Sequence, residues 1–145
     1  MQPLVEGTAG TLSLDTLPAI TVLFAGILAF VYVALTARVI ACRVRRRLAL
    51  GDGGHKDLQQ AIRAHGNFAE YVPFGLLLMA FVEMAYYSSW VVWSLGGLLL
   101  AGRVVHAIAL STNPGPGILR VIGMVATLLA LSAGGTLCIL AFVDI

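Results

Sequence analysis

Residues 63–74 read RAHGNFAEYVPF and open a long apolar segment of the chain. The run at 71–81 is apolar enough to lie in lipid, yet four polar or ionisable residues come just before it or at its start: Arg63, His65, Asn67 and Glu70. Such groups are costly at the edge of a membrane helix unless the protein supplies partners or a cavity. The stretch therefore predicts a membrane helix with a polar face.

The composition places the whole chain in the membrane class. Of its 145 residues, 59% are hydrophobic and 11% are charged, whereas a soluble domain of this length needs more polar surface to cover its core. The net charge of +2 does not indicate a nucleic-acid partner, because most of the basic residues lie in one connector, where they set topology. These residues are Arg43, Arg45, Arg46, Arg47 and Lys56.

Four apolar segments are long enough to cross a bilayer, which takes about 20 residues. We predict a single all-α membrane domain over 1–145, a bundle of four transmembrane helices at about 17–41, 58–86, 90–111 and 118–143, with a basic loop at 42–57. The first segment is expected to stay in the mature protein, since residues 1–16 lack a basic start. Asp15 or Thr16 is predicted to cap the first helix, and Asp57 the second.

The basic run also predicts the orientation of this multi-pass protein. Basic loops stay on the cytoplasmic side, so loop 42–57 and the turn between helices three and four are predicted there, and both termini on the opposite side. Tyr86, Tyr87, Trp90 and Trp93 then form an aromatic belt at the outer interface. Small residues on helix four, such as Gly123 and Thr127, favour close helix packing.

Polar side chains of all four predicted helices fall at one depth, in the cytoplasmic half. Arginines supply most of this group, against one clear acidic partner, Glu70, and Pro73 is predicted to bend helix two beside it. The surplus positive charge predicts a cytoplasm-facing pocket, bordered by lipid, for a small ligand of net negative charge. The members of the group are Arg38, Arg63, Asn67, Glu70, Arg103, His106 and Arg120.

Plainer roles stay open for several of these side chains. Glu70 pairs with Arg103 or Arg63 inside the bundle in one alternative, since buried charges need partners. In others, Arg38 reaches the lipid headgroups, and His65 caps a helix or faces water. No metal site is predicted, because His106 lacks the cysteine and carboxylate neighbours that a metal requires.

The segments RAHGNFAEYVP at 63–73, GRVVHAIAL at 102–110 and LRVIGM at 119–124 resemble the family of membrane-associated proteins in eicosanoid and glutathione metabolism, or MAPEG. With the four spans and the basic first loop, the resemblance covers nearly the whole chain after about residue 15. It implies a homotrimer of four-helix subunits. It also implies that glutathione binds between neighbouring subunits near the cytoplasmic face.

The resemblance assigns roles to single residues of this sequence. It implies that Asn67, Glu70 and His106 contact glutathione and that Arg38 meets one of its carboxylates. Arg103 belongs to the same predicted binding set, although its position is similar to a more structural one. Arg120 resembles the arginine that stabilises the glutathione thiolate, and a guanidinium within hydrogen-bond reach favours a thiolate over a thiol.

The activity that the resemblance implies is a glutathione transferase or peroxidase acting on lipophilic electrophiles, a detoxification role with membrane lipids as surroundings. Four positions depart from the family pattern. Gly66 stands where some members have arginine, Leu110 where several have tyrosine, and Val121 and Met124 replace a serine and a tyrosine. The alternative prediction is therefore a non-catalytic member that binds glutathione-like ligands or a membrane partner.

Overall fold

The computed structural model describes residues 17–85, 87–112 and 117–143 and consists of four long helices. They are α1 (Ala19–Arg46), α2 (Lys56–Met84), α3 (Ser89–Thr112) and α4 (Ile118–Val143). Each is long and apolar enough to cross a membrane, and no strand occurs in the described ranges. The predicted class, a four-helix integral membrane bundle, is confirmed.

The two central helices, α2 and α3, pack against each other along the middle of the bundle. Helix α1 lies against both of them on one flank and α4 lies against both on the other, so that α1 and α4 hardly touch. Successive helices run in opposite directions. We call the end with the α1–α2 and α3–α4 connections the basic end, and the end with the α2–α3 turn the aromatic end.

A continuous apolar core joins the helices, and its largest members are almost fully buried. Leu28 of α1, Phe68 of α2 and Leu99 of α3 belong to it. The outer surface is also apolar, with Phe30 and Phe142 80% and 77% exposed. Helices that are apolar on every side are typical of a bundle whose solvent is lipid.

The basic run lies mostly on helix α1 and only partly in the loop that follows it. Helix α1 continues to Arg46, beyond the predicted end near Ala41. Arg43 then folds the connection back by donating hydrogen bonds to the carbonyls of Ala49 and Gly51, both at 3.1 Å. Basic side chains in the last turn also compensate the negative end of the helix dipole.

The predicted cap of α2 is wrong, because the helix begins earlier than the sequence pattern indicates. Its N-cap is His55, which makes no side-chain cap hydrogen bond, and Asp57 lies inside the first turn. The Asp57 carboxylate instead accepts a hydrogen bond from Arg46 at 3.1 Å and so joins the ends of α1 and α2. Asp15 and Thr16, the predicted caps of α1, lie outside the described residues.

Helix α1 receives its cap from a different helix. Pro18 at the N-cap provides no side-chain hydrogen bond. The Glu83 carboxylate of α2 instead accepts from the backbone N–H groups of Ile20 and Thr21, at 2.8 Å each. The first N–H groups of a helix have no partner within it and form the positive end of its dipole, so a carboxylate suits them well.

We expect Glu83→Ala to lower the free energy of unfolding by about 1 kcal/mol, the usual cost of losing a helix cap. Reversible unfolding in mixed detergent micelles measures it. Ser94→Ala is the matched control, because its exposed hydroxyl lies at the same end of the bundle and donates to Trp90 within its own helix. Equal losses in the two variants would contradict the capping role.

Candidate functional site

A cavity of about 630 Å³ lies towards the basic end, between the first half of α2, the second half of α3 and the start of α4. This volume is within the range of small-molecule sites, roughly 300–1,000 Å³. The polar side chains that line it are Arg63, Asn67, Glu70, His106 and Arg120. The structure therefore brings five of the seven members of the predicted polar group to one cavity. Four of the five belong to the predicted glutathione-binding set: Asn67, Glu70, His106 and Arg120.

Helix α2 supplies one wall of the cavity through its i, i+4, i+7 spacing. Arg63 and Glu70 are exposed, and Asn67 between them is half-buried. Glu70 makes no ion pair with Arg103 or Arg63, and the ion pair found among the described residues is Arg46–Asp57. The Glu70 carboxylate thus stays open to a cationic group in the cavity.

Arg103, predicted as a binding residue, lies behind the cavity wall and does not line the cavity. It is only 1% exposed. Its Nη1 donates to Thr127 Oγ1 at 3.0 Å, and its Nη2 donates to Asn67 Oδ1 at 2.5 Å. The guanidinium carbon is 5.2 Å from the centre of the Tyr71 ring, a cation–π distance. Within one chain, Arg103 supports Asn67 from the interior.

Arg38 is also outside the cavity. Its guanidinium donates to the hydroxyl of Ser111 and, at 3.2 Å, to the backbone carbonyl of the same residue. This contact ties α1 to the last turn of α3. The carbonyls of a helix end lack partners within the helix, which makes them suitable acceptors for an arginine.

His106 faces the cavity from α3 and is held by α4. Its Nδ1 is 3.0 Å from the carbonyl oxygen of Arg120. Because a carbonyl only accepts, Nδ1 must carry a proton. In the neutral ring Nε2 is then an acceptor, and it makes no hydrogen bond to a described residue. His106 can therefore accept a hydrogen bond or a proton from a ligand.

Two glycines set the distance between α3 and α4 at this point. A Cβ atom on Gly123 would lie 2.7 Å from the backbone nitrogen of His106 and 2.8 Å from the carbonyl oxygen of Gly102. A Cβ on Gly102 would lie 2.8 Å from Thr127 Oγ1. The backbones of the two helices therefore touch here, and this contact places His106 beside the start of α4.

The remaining sequence predictions divide between the cavity and other surfaces. Gly66, Leu110 and Met124 line the cavity, whereas Val121 is 56% exposed and does not. His65 is likewise outside it. The centre of its ring is 4.7 Å from that of Tyr32, with the two rings tilted by 37°, and its Nε2 is buried without a hydrogen-bond partner in the described part of the chain.

Three functional neighbours escape reasoning from the sequence. Thr127 accepts a hydrogen bond from Arg103 and Ser111 accepts one from Arg38, and the Tyr71 ring lies within cation–π distance of Arg103. The sequence indicates only a packing role for Thr127, as one of the small residues of helix four. Its position four residues after Gly123, on the helix face that meets α3, is the one signal that the sequence carries for it.

The fold and the site together define a multi-pass membrane protein of four helices with a polar cavity at one end of the bundle. The MAPEG family model matches residues 21–140, and the chain belongs to the MAPEG family. The resemblance found in the sequence is thereby confirmed. No solved structure matches the chain significantly.

Two relatives that match the chain are both named inner membrane protein YecN. The inner membrane protein YecN of Escherichia coli K12 is 41% identical over 87 residues, which cover 60% of this chain and 66% of YecN. The inner membrane protein YecN of Escherichia coli O6:H1 matches to the same extent. The matched region thus spans just under two thirds of the length of these relatives.

We expect Gly123→Ala to lower the free energy of unfolding by about 1–3 kcal/mol, because the added methyl group overpacks two backbones that cannot yield easily. Thermal unfolding in detergent measures the change. Gly135→Ala on the same helix is the control, since a Cβ there meets nothing within 4 Å, and alanine favours a helix. An unchanged free energy of unfolding in Gly123→Ala would contradict the close contact of α3 and α4.

Proposed function

We propose that the protein is a glutathione-dependent membrane transferase or peroxidase that acts on lipophilic electrophiles. The observation that carries this proposal is the composition of the cavity wall. Two arginines, an asparagine, a histidine and a glutamate converge on one space of about 630 Å³ at the basic end. Membership of the MAPEG family supports glutathione as the ligand.

The charges of the cavity complement those of glutathione. The tripeptide carries two carboxylates, one ammonium group and a thiol. Arg63 and Arg120 are suited to its anionic groups, and Glu70 is suited to the ammonium group. Hydrogen bonds in which one partner is ionised are roughly twice as strong as neutral ones, so this pairing favours one orientation of the ligand.

Arg120 is the proposed thiolate-stabilising residue. It lies in the first turn of α4, where the N–H groups at the start of the helix and its dipole already favour negative charge. A guanidinium at this position increases the fraction of glutathione present as thiolate, which is the reactive nucleophile. In the transfer reaction the sulfur then forms a bond to an electrophilic carbon of the second substrate.

The surface beside the cavity suits a substrate that arrives through the bilayer. Ile118 and Leu119 precede Arg120 and Val121 follows it, and these three apolar side chains are more than half exposed. An electrophile dissolved in lipid therefore reaches the start of α4 along an apolar surface. The charged wall of α2 lies across the cavity from this entry.

We further propose a homotrimer, with the basic end on the cytoplasmic side and both termini on the opposite side. Arg38 supports an assembly in this proposal. It lies on the α1 side of the bundle, bound to Ser111 of its own chain and outside that chain's cavity. An Arg38 that contacts glutathione would then act on the ligand of a neighbouring subunit.

The direct test is the pH-dependent difference absorbance of glutathione bound to the purified protein in detergent. We expect a thiolate band near neutral pH that Arg120→Ala abolishes, because the positive charge next to the sulfur is lost. Arg45→Ala is the matched control, since Arg45 is an exposed arginine in the last turn of α1, away from the cavity. Absence of saturable binding by the unmodified protein at millimolar glutathione would refute the proposal.

A second candidate function is glutathione binding without turnover. The observation in its favour is that Leu110 and Met124 line the cavity, where hydroxyl-bearing side chains are found in other members of the family. Each missing hydrogen bond removes about 0.5–1.5 kcal/mol of ligand binding. This candidate predicts saturable binding with no thiolate band.

Met124→Tyr distinguishes the contribution of the hydroxyl from that of the ring. We expect it to raise the affinity for glutathione roughly 2- to 10-fold, the gain from one hydrogen bond. Met124→Phe is the control, because it adds the ring without the hydroxyl group. Titration calorimetry in detergent measures both, and equal affinities of the two variants would show that no ligand group meets this position.

A further inference from the structure

A network of hydrogen bonds centred on Arg103 runs through the bundle interior and reaches the cavity wall at Asn67. On its interior side lies Thr127, whose hydroxyl donates to the carbonyl of Gly123 at 2.8 Å. Arg103 then donates to the same hydroxyl oxygen at 3.0 Å and to Asn67 Oδ1 at 2.5 Å. Arg103 and Thr127 are 1% and 0% exposed, so water does not compete for these groups.

The direction of every hydrogen bond in this network follows from which groups can only donate and which can only accept. A backbone carbonyl only accepts, so the Thr127 hydroxyl must donate its one hydrogen to the Gly123 carbonyl. Its oxygen can then only accept from Arg103. A guanidinium only donates, so the atom of Asn67 that it meets must be the amide oxygen. A flip of the amide, which exchanges its oxygen and nitrogen, would therefore place its N–H₂ group against the N–H groups of Arg103.

The consequence for the cavity is that Asn67 offers it hydrogen-bond donors. Its side chain lines the cavity, and its oxygen is occupied by Arg103 on the interior side. The N–H₂ group is what remains for a ligand. Glu70, one turn further along α2, offers the opposite polarity, because a carboxylate only accepts.

We propose that Arg103 and Thr127 are positioning residues, which hold the Asn67 amide with its N–H₂ group towards the cavity and its oxygen towards the interior. The cavity then selects a carboxylate or carbonyl oxygen of the ligand at this position, rather than a hydrogen-bond donor. The identity of the ligand rests on the proposed function. For glutathione, an acceptor oxygen lies at Asn67 and the ammonium group lies at Glu70. The order of these two groups along α2 then fixes the direction in which the peptide binds.

The cost of the arrangement supports a role beyond packing. Among the described residues, Arg103 has no carboxylate partner within ion-pair distance, and its Nε has no hydrogen-bond partner. A buried cation with this few partners is expensive, and an apolar side chain of similar volume usually packs as well or better. The charge also increases the positive potential behind the Asn67 amide, which favours an anionic group in the cavity.

Asn67→Asp tests the proposal. One carboxylate oxygen still accepts from Arg103, now as an ion pair, so the fold and the melting temperature are retained. The other oxygen replaces the N–H₂ group and repels an anion. Gln59→Glu is the matched control, because it makes the same chemical change at an exposed position of the same helix, outside the cavity.

The probes are two pairs of small molecules, titrated by calorimetry in detergent. The first pair is glutathione and its diethyl ester, and the second is glutarate and its diamide. For Asn67→Asp we expect the affinity for the carboxylate form to fall roughly 10- to 100-fold, as for loss of a hydrogen bond to a charged group, and that for the neutral form to change little. Gln59→Glu retains the preference for the carboxylate form.

The positioning role is tested at Thr127, away from the ligand. Thr127→Val removes the acceptor for Arg103 at nearly constant side-chain volume. We expect it to reduce the ratio of the affinity for the carboxylate form to the affinity for the neutral form. Thr127→Ser keeps the hydroxyl and is expected to keep the preference. Equal loss in both variants, or no loss in Thr127→Val, would overturn the positioning role.

The outcomes separate this inference from the proposed function. If the unmodified protein fails to bind glutathione but prefers glutarate over its diamide, and Asn67→Asp abolishes that preference, the proposed function fails and the inference stands. An Asn67→Asp variant that keeps the carboxylate preference overturns the inference, even if glutathione binds. An unmodified protein with no carboxylate preference for either pair also overturns it.

Discussion

The structure depends on a single constraint of the bilayer, that a polar group inside it must find its partners within the protein. Arg103 shows the constraint most directly, because it is almost fully buried between the helices of the bundle. Its N–H groups donate to side chains of α2 and α4, and its guanidinium carbon lies within cation–π distance of a tyrosine ring. One buried cation thus links three helices at one depth and occupies the amide oxygen of Asn67, a residue of the cavity wall.

That linkage requires the helices to approach more closely than ordinary side chains allow. Gly102 and Gly123 remove the side chains between α3 and α4, and the resulting backbone contact brings Thr127 to Arg103 and Arg120 to His106. In lipid, packing of this kind replaces the hydrophobic effect as the force between helices. The polar site and the small-residue contact are therefore two aspects of the same helix pair.

The sequence predicts the fold and part of the site for identifiable reasons. Span length and composition are sufficient for four membrane helices, because lipid leaves few other solutions for the backbone. Helical spacing and depth were enough to group Asn67, Glu70, His106 and Arg120, since residues of one face and one level must lie near each other. The partners of Arg38 and Arg103 could not be predicted in this way. They depend on the rotation of each helix about its own axis, which packing between helices decides.

Helices α1 and α2 are joined by a polar contact at each end. Glu83 binds the first N–H groups of α1 at the aromatic end, and Arg46 meets Asp57 at the basic end. One such contact lies at each end of the pair, and together they favour a single register of α1 against α2. We therefore expect the α1–α2 hairpin to keep this register when α3 and α4 pack against it.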